Sequence, residues 1–211
     1  MQEAVERPLL VLERATSADQ FAAAAELRNE IYRRRLGLDL GSWRSEWERD
    51  RAGHVFVLSR SGTPVATGRA LPTGSPQCEL RELGQLPRQL ADDTRACEVS
   101  RIVTTRLDEE QRVPYSMVLL CMGAQWLLEH TDLRRYVAYC RIPLVRLYQA
   151  VGAVDLETCF RIADRGDTVY TVVVGDLASP AELAEKFSGD RAVLAARDSV
   201  RAQRPSRAGV S

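Results

Sequence analysis

One stretch, Ala96-Cys97-Glu98-Val99-Ser100-Arg101-Ile102-Val103, limits what this chain can fold into more than any other. Its apolar positions read as a buried strand, yet Glu98, Ser100 and Arg101 sit in the middle of it. Taking an acid, a hydroxyl and a guanidinium out of water is costly unless each gains a partner or a task. On a regular strand Glu98 and Ser100 share one face, and Arg101 points to the other. Two readings stay open at this point. The polar groups form a buried Glu–Arg pair that pins sheet register, or they serve a site.

The rest of the chain is arranged around that strand. Residues 7–14 read as a first strand, and Thr16 to Asp19 offers a cap for a helix over Gln20–Arg35 with Phe21, Ala24, Leu27, Ile31 and Tyr32 on one face. Leu36 to Asp50 is a loop or second short helix carrying Trp43 and Trp47, which line a pocket or cover the core. A hairpin follows, with strands over 54–59 and 64–71 and Gly68 and Arg69 in the second. Residues 72–95 read as loop with one short helix near 86–91. The central strand over 97–104 leads through a polar loop and Pro114 to an apolar helix over 116–129, then to a strand over 135–140. A short helix over 143–151 ends at Gly152, and strands over 154–162 and 168–174 close the pattern. The order predicts an α+β fold with a mixed sheet and one parallel strand–helix–strand crossover between residues 97 and 140. Residues 1–177 are expected to form one domain, and 178–211 a C-terminal helix and a disordered tail.

Composition removes several function classes. Lys+Arg and Asp+Glu balance at 29 each, so no basic excess argues for nucleic acid. Cys78, Cys97, Cys121, Cys140 and Cys159 lack ligand spacing and read as buried free thiols, with no metal site. No leader and no membrane-spanning run is legible, so a cytoplasmic protein is expected. His54 reads as a surface histidine, and His130 ends a helix where a cation suits the dipole.

Four motifs together carry a resemblance. These are Leu27-Arg28 with Ile31-Tyr32, Arg35 and Gly37; Gly68-Arg69-Ala70-Leu71 with Thr73 and Pro76; Glu98-Val99-Ser100-Arg101; and Leu147-Tyr148 with Gly152. The set resembles the GNAT acyltransferase superfamily, and within it the branch of acyl-homoserine lactone synthases and N-acyl amino acid synthases. The resemblance implies a central mixed, twisted sheet flanked by helices, and aminolysis of a thioester. It also implies a role in signal or secondary metabolism, antibiotic biosynthesis included. Three departures stand out. Cys97 occupies a position that is tryptophan in the lactone synthases. Of the paired carboxylates for a sulfonium acceptor, Asp50 fits one, while Glu46 or Glu48 must supply the other at a different spacing. The turn that cradles a coenzyme A pyrophosphate corresponds to Gln111–Ser116, which has no glycine and loses an amide donor at Pro114.

Those points set the expectations for the site. Glu98 is the candidate general base, directly or through a water, and Ser100 a hydrogen-bonding partner of donor or acceptor. Tyr148 resembles the tyrosine that protonates the departing thiolate. Arg28, Trp43, Asp50, Arg69 and Arg101 are candidate acceptor-binding residues. Ser116 and the arginines Arg106, Arg112, Arg141 and Arg146 flank the expected donor entrance. Arginine suits that place, since its planar fork meets phosphate and carboxylate in two-point contacts. With no resident cofactor expected, the donor is an acyl-phosphopantetheine, on an acyl carrier protein first and on coenzyme A as the alternative. The acceptor is a small-molecule amine. A catalytically silent GNAT-like binding module is a further alternative.

Overall fold

The computed structural model describes residues 10–39, 44–105 and 114–188. Strand β1 (Leu10–Arg14) leads into helix α1 (Ala18–Leu36). The helix starts where it does because Ser17 and Gln20 cap each other: the Ser17 hydroxyl accepts the Gln20 N–H, and the Gln20 side chain accepts the Ser17 N–H. It stops at Gly37, whose φ of 67° is the left-handed exit that a residue without Cβ takes freely. Ala24, Leu27, Arg28 and Ile31 form its buried stripe, so an arginine travels inward with the apolar face. Helix α2 (Arg44–Ala52) fills part of the next connection, and its buried residues are Glu46, Arg49 and Asp50, all charged.

The hairpin forms as expected from β2 (His54–Arg60) and β3 (Thr63–Pro72). Ser61 and Gly62 turn it with φ of 48° and 84°, the handedness that matches strand twist. The following connection holds two short helices, α3 (Glu79–Glu82) and α4 (Arg88–Ala91), where one was expected. Strand β4 (Ala96–Thr104), helix α5 (Tyr115–His130) and strand β5 (Arg135–Arg141) then make the parallel crossover. A 3-10 turn (Ile142–Leu144) passes into α6 (Val145–Gln149). The single strand expected over 154–162 is two pieces, β6 (Val154–Asp155) and β7 (Phe160–Arg161). Glu157 between them has a φ of 56°, which no continuous strand accommodates. Both pieces pair with β8 (Val169–Asp176), and α7 (Ala178–Ser188) follows.

The sheet runs β1-β2-β3-β4-β5-β8-β6, with β7 also beside β8. It is a mixed sheet flanked by helices, as the sequence pattern predicts. Alternation along β2 sorts its two faces: Phe56 and Leu58 join the main core with α5, while Val55 and Val57 pack with Phe21 and Ala24 of α1. Burying each such side chain stabilises the fold by about 1.5–3 kcal/mol. Two small readings change. Cys159 is exposed while the other four thiols are buried. His54, expected at the surface, is half-buried with its ring 5.5 Å from that of Trp126. Among the described residues no helix is long and apolar enough to cross a membrane.

One topological fact positions the site. β4 and β5 pair only over Ala96↔Arg135, Cys97↔Tyr136 and Glu98↔Val137. Beyond that point β4 stays with β3 and β5 stays with β8, so the two parallel strands part in the middle of the sheet.

Candidate active site

The β3–β4 register breaks where the strands begin to part. Arg69 faces Ser100 and Thr67 faces Val103, so Gly68 alone lies opposite Arg101 and Ile102. This is a bulge, with Arg101 at a φ of 57°. A Cβ at position 68 would meet Leu119 at 3.1 Å and Ile102 at 3.2 Å, so glycine suits the tight approach. The bulge overturns the expectation that Arg101 faces away from Ser100. The positive φ swings its side chain into the same cluster as that of Arg69, the cross-strand partner of Ser100.

A buried charge network grows from that convergence. Glu46 of α2 accepts from Arg101 at 2.5 and 2.9 Å, from Arg69 at 3.2 Å and from Arg49 at 3.0 Å. Asp50, one helical turn on, takes both arms of Arg28 and a 3.1 Å bond from Arg69. Glu79 of α3 accepts from Arg101 at 3.1 Å, from Arg165 and, at 2.6 Å, from the Tyr139 hydroxyl. That hydroxyl in turn accepts from Arg101 at 2.9 Å and Arg165 at 2.7 Å. Burial alone would raise the carboxyl of Glu79, but Arg101, Arg165 and the tyrosine outweigh it and hold it at about 2. For Glu46 burial is likewise outweighed, by Arg101, Arg69 and Arg28, and its carboxyl lies well below the usual range. Glu46 and Glu79 are therefore ionised, and each has both oxygens engaged, which is the condition under which buried charge is tolerated.

Beside the network, the parting strands enclose a cavity of about 190 Å³. Ser100 and Arg101 of β4, Ser116 at the start of α5, Tyr139 and Arg141 of β5, and Tyr148 of α6 line it. Tyr32 and Arg35 of α1 close one side, and Arg165 and Tyr170 another. Met117 and Val118 bond the Pro114 carbonyl, so the first amides of α5, those of Tyr115 and Ser116, lack an intrahelical partner at the cavity end. Burial raises the Tyr148 hydroxyl well above the usual tyrosine range, so it is protonated and able to donate.

No family model matches this chain, and no curated protein does. Solved structures do. The N-acyl amino acid synthase FeeM from uncultured soil microbes superposes with a TM-score of 0.60 at 16% identity, over 85% of this chain and 97% of FeeM. The CoA-dependent acyl-homoserine lactone synthase BjaI gives 0.64 at 13% identity, over 90% and 93%. The synthase LasI gives 0.62 at 12% identity, over 81% and 90%. The chain has the GNAT acyltransferase fold.

On this GNAT framework the expected site residues separate into groups. Ser100, Arg101, Ser116, Arg141 and Tyr148 meet at the cavity. Arg28, Asp50 and Arg69 lie behind it in the charge network and are almost fully buried. Glu98 is apart from both. It is completely buried and does not line the cavity; its Oε2 accepts from the Leu80 amide at 2.8 Å and the Cys78 thiol at 3.3 Å, while its Oε1 has no partner among the described residues. Arg146 is exposed on α6, outside the lining. Trp43, Arg106 and Arg112 lie outside the described residues.

Sequence reasoning missed Glu79, Tyr139 and Arg165, and gave Glu46 only as an alternative. Glu79 and Arg165 sit on a four-residue helix and a 3-10 turn, too short for any periodicity to mark an inward face. Tyr139 carried a usable signal. It follows Val137 by two positions on the strand that bounds the crossover, and so shares that residue's side of the sheet.

Proposed function

We propose that this chain is an N-acyltransferase that moves an acyl group from a phosphopantetheine thioester to the amine of a small acceptor. The observation that carries the reading is the parting of β4 and β5 at Glu98↔Val137, which leaves a cavity bordered by Ser100, Tyr148 and the start of α5. In this reading the pantetheine arm lies between the parted strands, with its phosphate toward the amides of Tyr115 and Ser116. The acceptor nitrogen attacks the thioester carbonyl carbon, the carbon–sulfur bond breaks, and Tyr148 protonates the departing sulfur. The Ser100 hydroxyl accepts from Arg69 at 3.3 Å, so its own proton is free to steady the carbonyl oxygen. Glu98 takes the amine's proton through a bridging water at its unpartnered Oε1.

Acyl-coenzyme A is the donor we favour, because solved structures of the same fold include CoA-dependent lactone synthases. A carrier protein is the second reading, supported by a specific patch. Ile142 and Leu144 are exposed large apolar residues, and Arg141 and the exposed Arg146 flank them, a surface that suits an acidic partner with an apolar contact. Thiol release measured side by side from acyl-CoA and from the same acyl group on a carrier protein tests the assignment. The expected result is saturable, amine-dependent release from acyl-CoA that survives Arg146→Glu. Turnover from the carrier alone, lost in Arg146→Glu and at raised salt, would move the carrier reading ahead. Silence with both donors would leave a binding module.

A further inference from the structure

Resting on the acyltransfer reading above, we propose that Ile102 sets the length of acyl group this chain accepts: its side chain is the end wall of the acyl site, and the donor carries a short chain. A smaller side chain at this one position would admit longer donors.

The bulge puts Ile102 there. Val99 packs in the main core with α5, so unbroken alternation would send position 101 to that side and position 102 to the side of α1. With Arg101 at a φ of 57° the order shifts. Arg101 turns into the charge network, Ile102 packs on the main core, and Val103 joins Leu27 and Ile31 of α1. Ile102 is half-buried and borders the 190 Å³ cavity. It also borders a second cavity of about 30 Å³ beneath α5, walled by Phe56, Val99, Leu119, Leu120 and Leu127 among others. Among the described residues, Ile102 is the one common to both linings.

The chemistry differs on the two sides of that side chain. The larger cavity carries Arg35, Arg101, Arg141 and Arg165 in its lining, where alkyl carbons would strip water from charge. The smaller one offers hydrocarbon. Of its two polar residues, Arg69 directs its guanidinium to Glu46 and Asp50, and Tyr136 lays its hydroxyl against Gly175. An acyl chain growing from a carbonyl at Ser100, two residues earlier on β4, runs toward Ile102 and stops there. The wall is firm. Ile102 Cγ1 and Leu119 Cδ2 both close on Gly68, at 3.2 and 3.1 Å from where a Cβ would stand, and a β-branched side chain has little freedom at χ1. Two residues of strand span roughly 6–7 Å. An extended alkyl chain covers that distance with about five carbons at ~1.25 Å per bond.

The test uses S-alkyl phosphopantetheine thioethers from ethyl to dodecyl, because that arm is common to coenzyme A and a carrier protein and needs no acceptor. Calorimetric titration reads the affinity of each. For the wild-type chain it should rise about fourfold per methylene up to about five carbons and then level or fall. In Ile102→Ala the break should move out by about three carbons, the number of side-chain atoms removed, so that the octyl thioether gains about tenfold or more over wild type. Ile102→Phe should pull the break inward, which a general loosening of the core would not do. Circular dichroism and melting accompany each variant. If Ile102→Ala does not fold, Ile102→Val must move the break by about one carbon, or the assignment fails. Affinity that climbs through dodecyl in the wild type, or a break that stays in place across the variants, overturns the Ile102 assignment while leaving acyltransfer standing. A break that moves as expected, with no N-acyl product from the matching acyl-CoA or acyl carrier donors and a pool of amines, overturns acyltransfer and leaves the Ile102 wall in place. Failure of every thioether to bind overturns both.

Discussion

Replacing Glu46 with glutamine removes the hub of the charge network while nearly preserving its shape. Both Glu46 oxygens accept from guanidiniums, with bonds of 2.5 and 2.9 Å to Arg101, 3.2 Å to Arg69 and 3.0 Å to Arg49. Glutamine keeps one acceptor but turns an NH2 group toward donors, and it leaves a buried positive charge uncompensated. Removing one partner of a buried ion pair costs about 3–5 kcal/mol. Arg101 and Arg69 retain Glu79 and Asp50, so the expected loss lies near the lower end, about 3 kcal/mol. At about 2–4 °C per kcal/mol for a chain of this size, Tm should fall by roughly 6–12 °C. Urea melts and calorimetry at pH 7 measure it. Hydrogen exchange should show α2 opening first, because the residues it buries are Glu46, Arg49 and Asp50. The pH dependence has a definite sign. Glu46 and Glu79 have folded pKa values below the unfolded value, so the unfolded chain binds more protons and stability rises with pH across that window. Their contribution is full above the usual 4.5 and is lost as pH falls toward about 2, where Glu79 titrates. Glu46→Gln should therefore flatten the acid limb as well as lower the plateau. A loss below about 1 kcal/mol, the range of an exposed pair, would refute the claim that these charges hold α2 in place.

Two substitutions separate chemistry from packing at the cavity. Tyr148→Phe should slow single-turnover acyl transfer by about a hundredfold or more while Tm hardly moves, since the hydroxyl forms no hydrogen bond among the described residues; an unchanged rate would assign the ring to packing. Glu98→Gln keeps an acceptor for the Leu80 amide, so the fold should persist while the rate falls by about a hundredfold, and normal turnover would leave Glu98 as the anchor of the Cys78–Leu80 segment alone.

The backbone plan was legible because it rests on signals that survive in one sequence. The Ser17–Gln20 cap, the Ser61-Gly62 turn and the apolar helix between two strands each have a local physical cause. The site was legible only in part. Glu98, Ser100 and Arg101 drew attention as polar residues in an apolar strand, but alternation put Arg101 on the wrong face, because one residue at a φ of 57° shifts everything after it. The other charged members of the network around Arg101 lay beyond reach for another reason. Glu46, Glu79 and Arg165 come from α2, a four-residue helix and a 3-10 turn, and nothing in their own neighbourhoods marks them as buried. Their burial is imposed by the distant partners they meet, arginines for the two glutamates and Glu79 with Tyr139 for Arg165, so it is a property of the tertiary fold.

The network and the cavity are parts of one device. The backbone ladder between β4 and β5 ends at Glu98↔Val137, and hydrogen bonds between side chains take over at once. Arg101 of β4 donates to the Tyr139 hydroxyl of β5 at 2.9 Å across the widening gap, and Glu79 and Arg165 brace both from outside the pair. A sheet that parts its two central strands exposes ladder groups and would tend to close again. A rigid side-chain strut at the root of the gap opposes that closure. Apolar residues could fill the same volume, but they would not fix a distance as bonds between planar guanidiniums, carboxylates and a phenol do. The network also borders the cavity, since Arg101 and Arg165 belong to strut and lining alike. Bracing the strands and lining the cavity are thus tasks of the same side chains, in the interior of a chain whose net charge is zero.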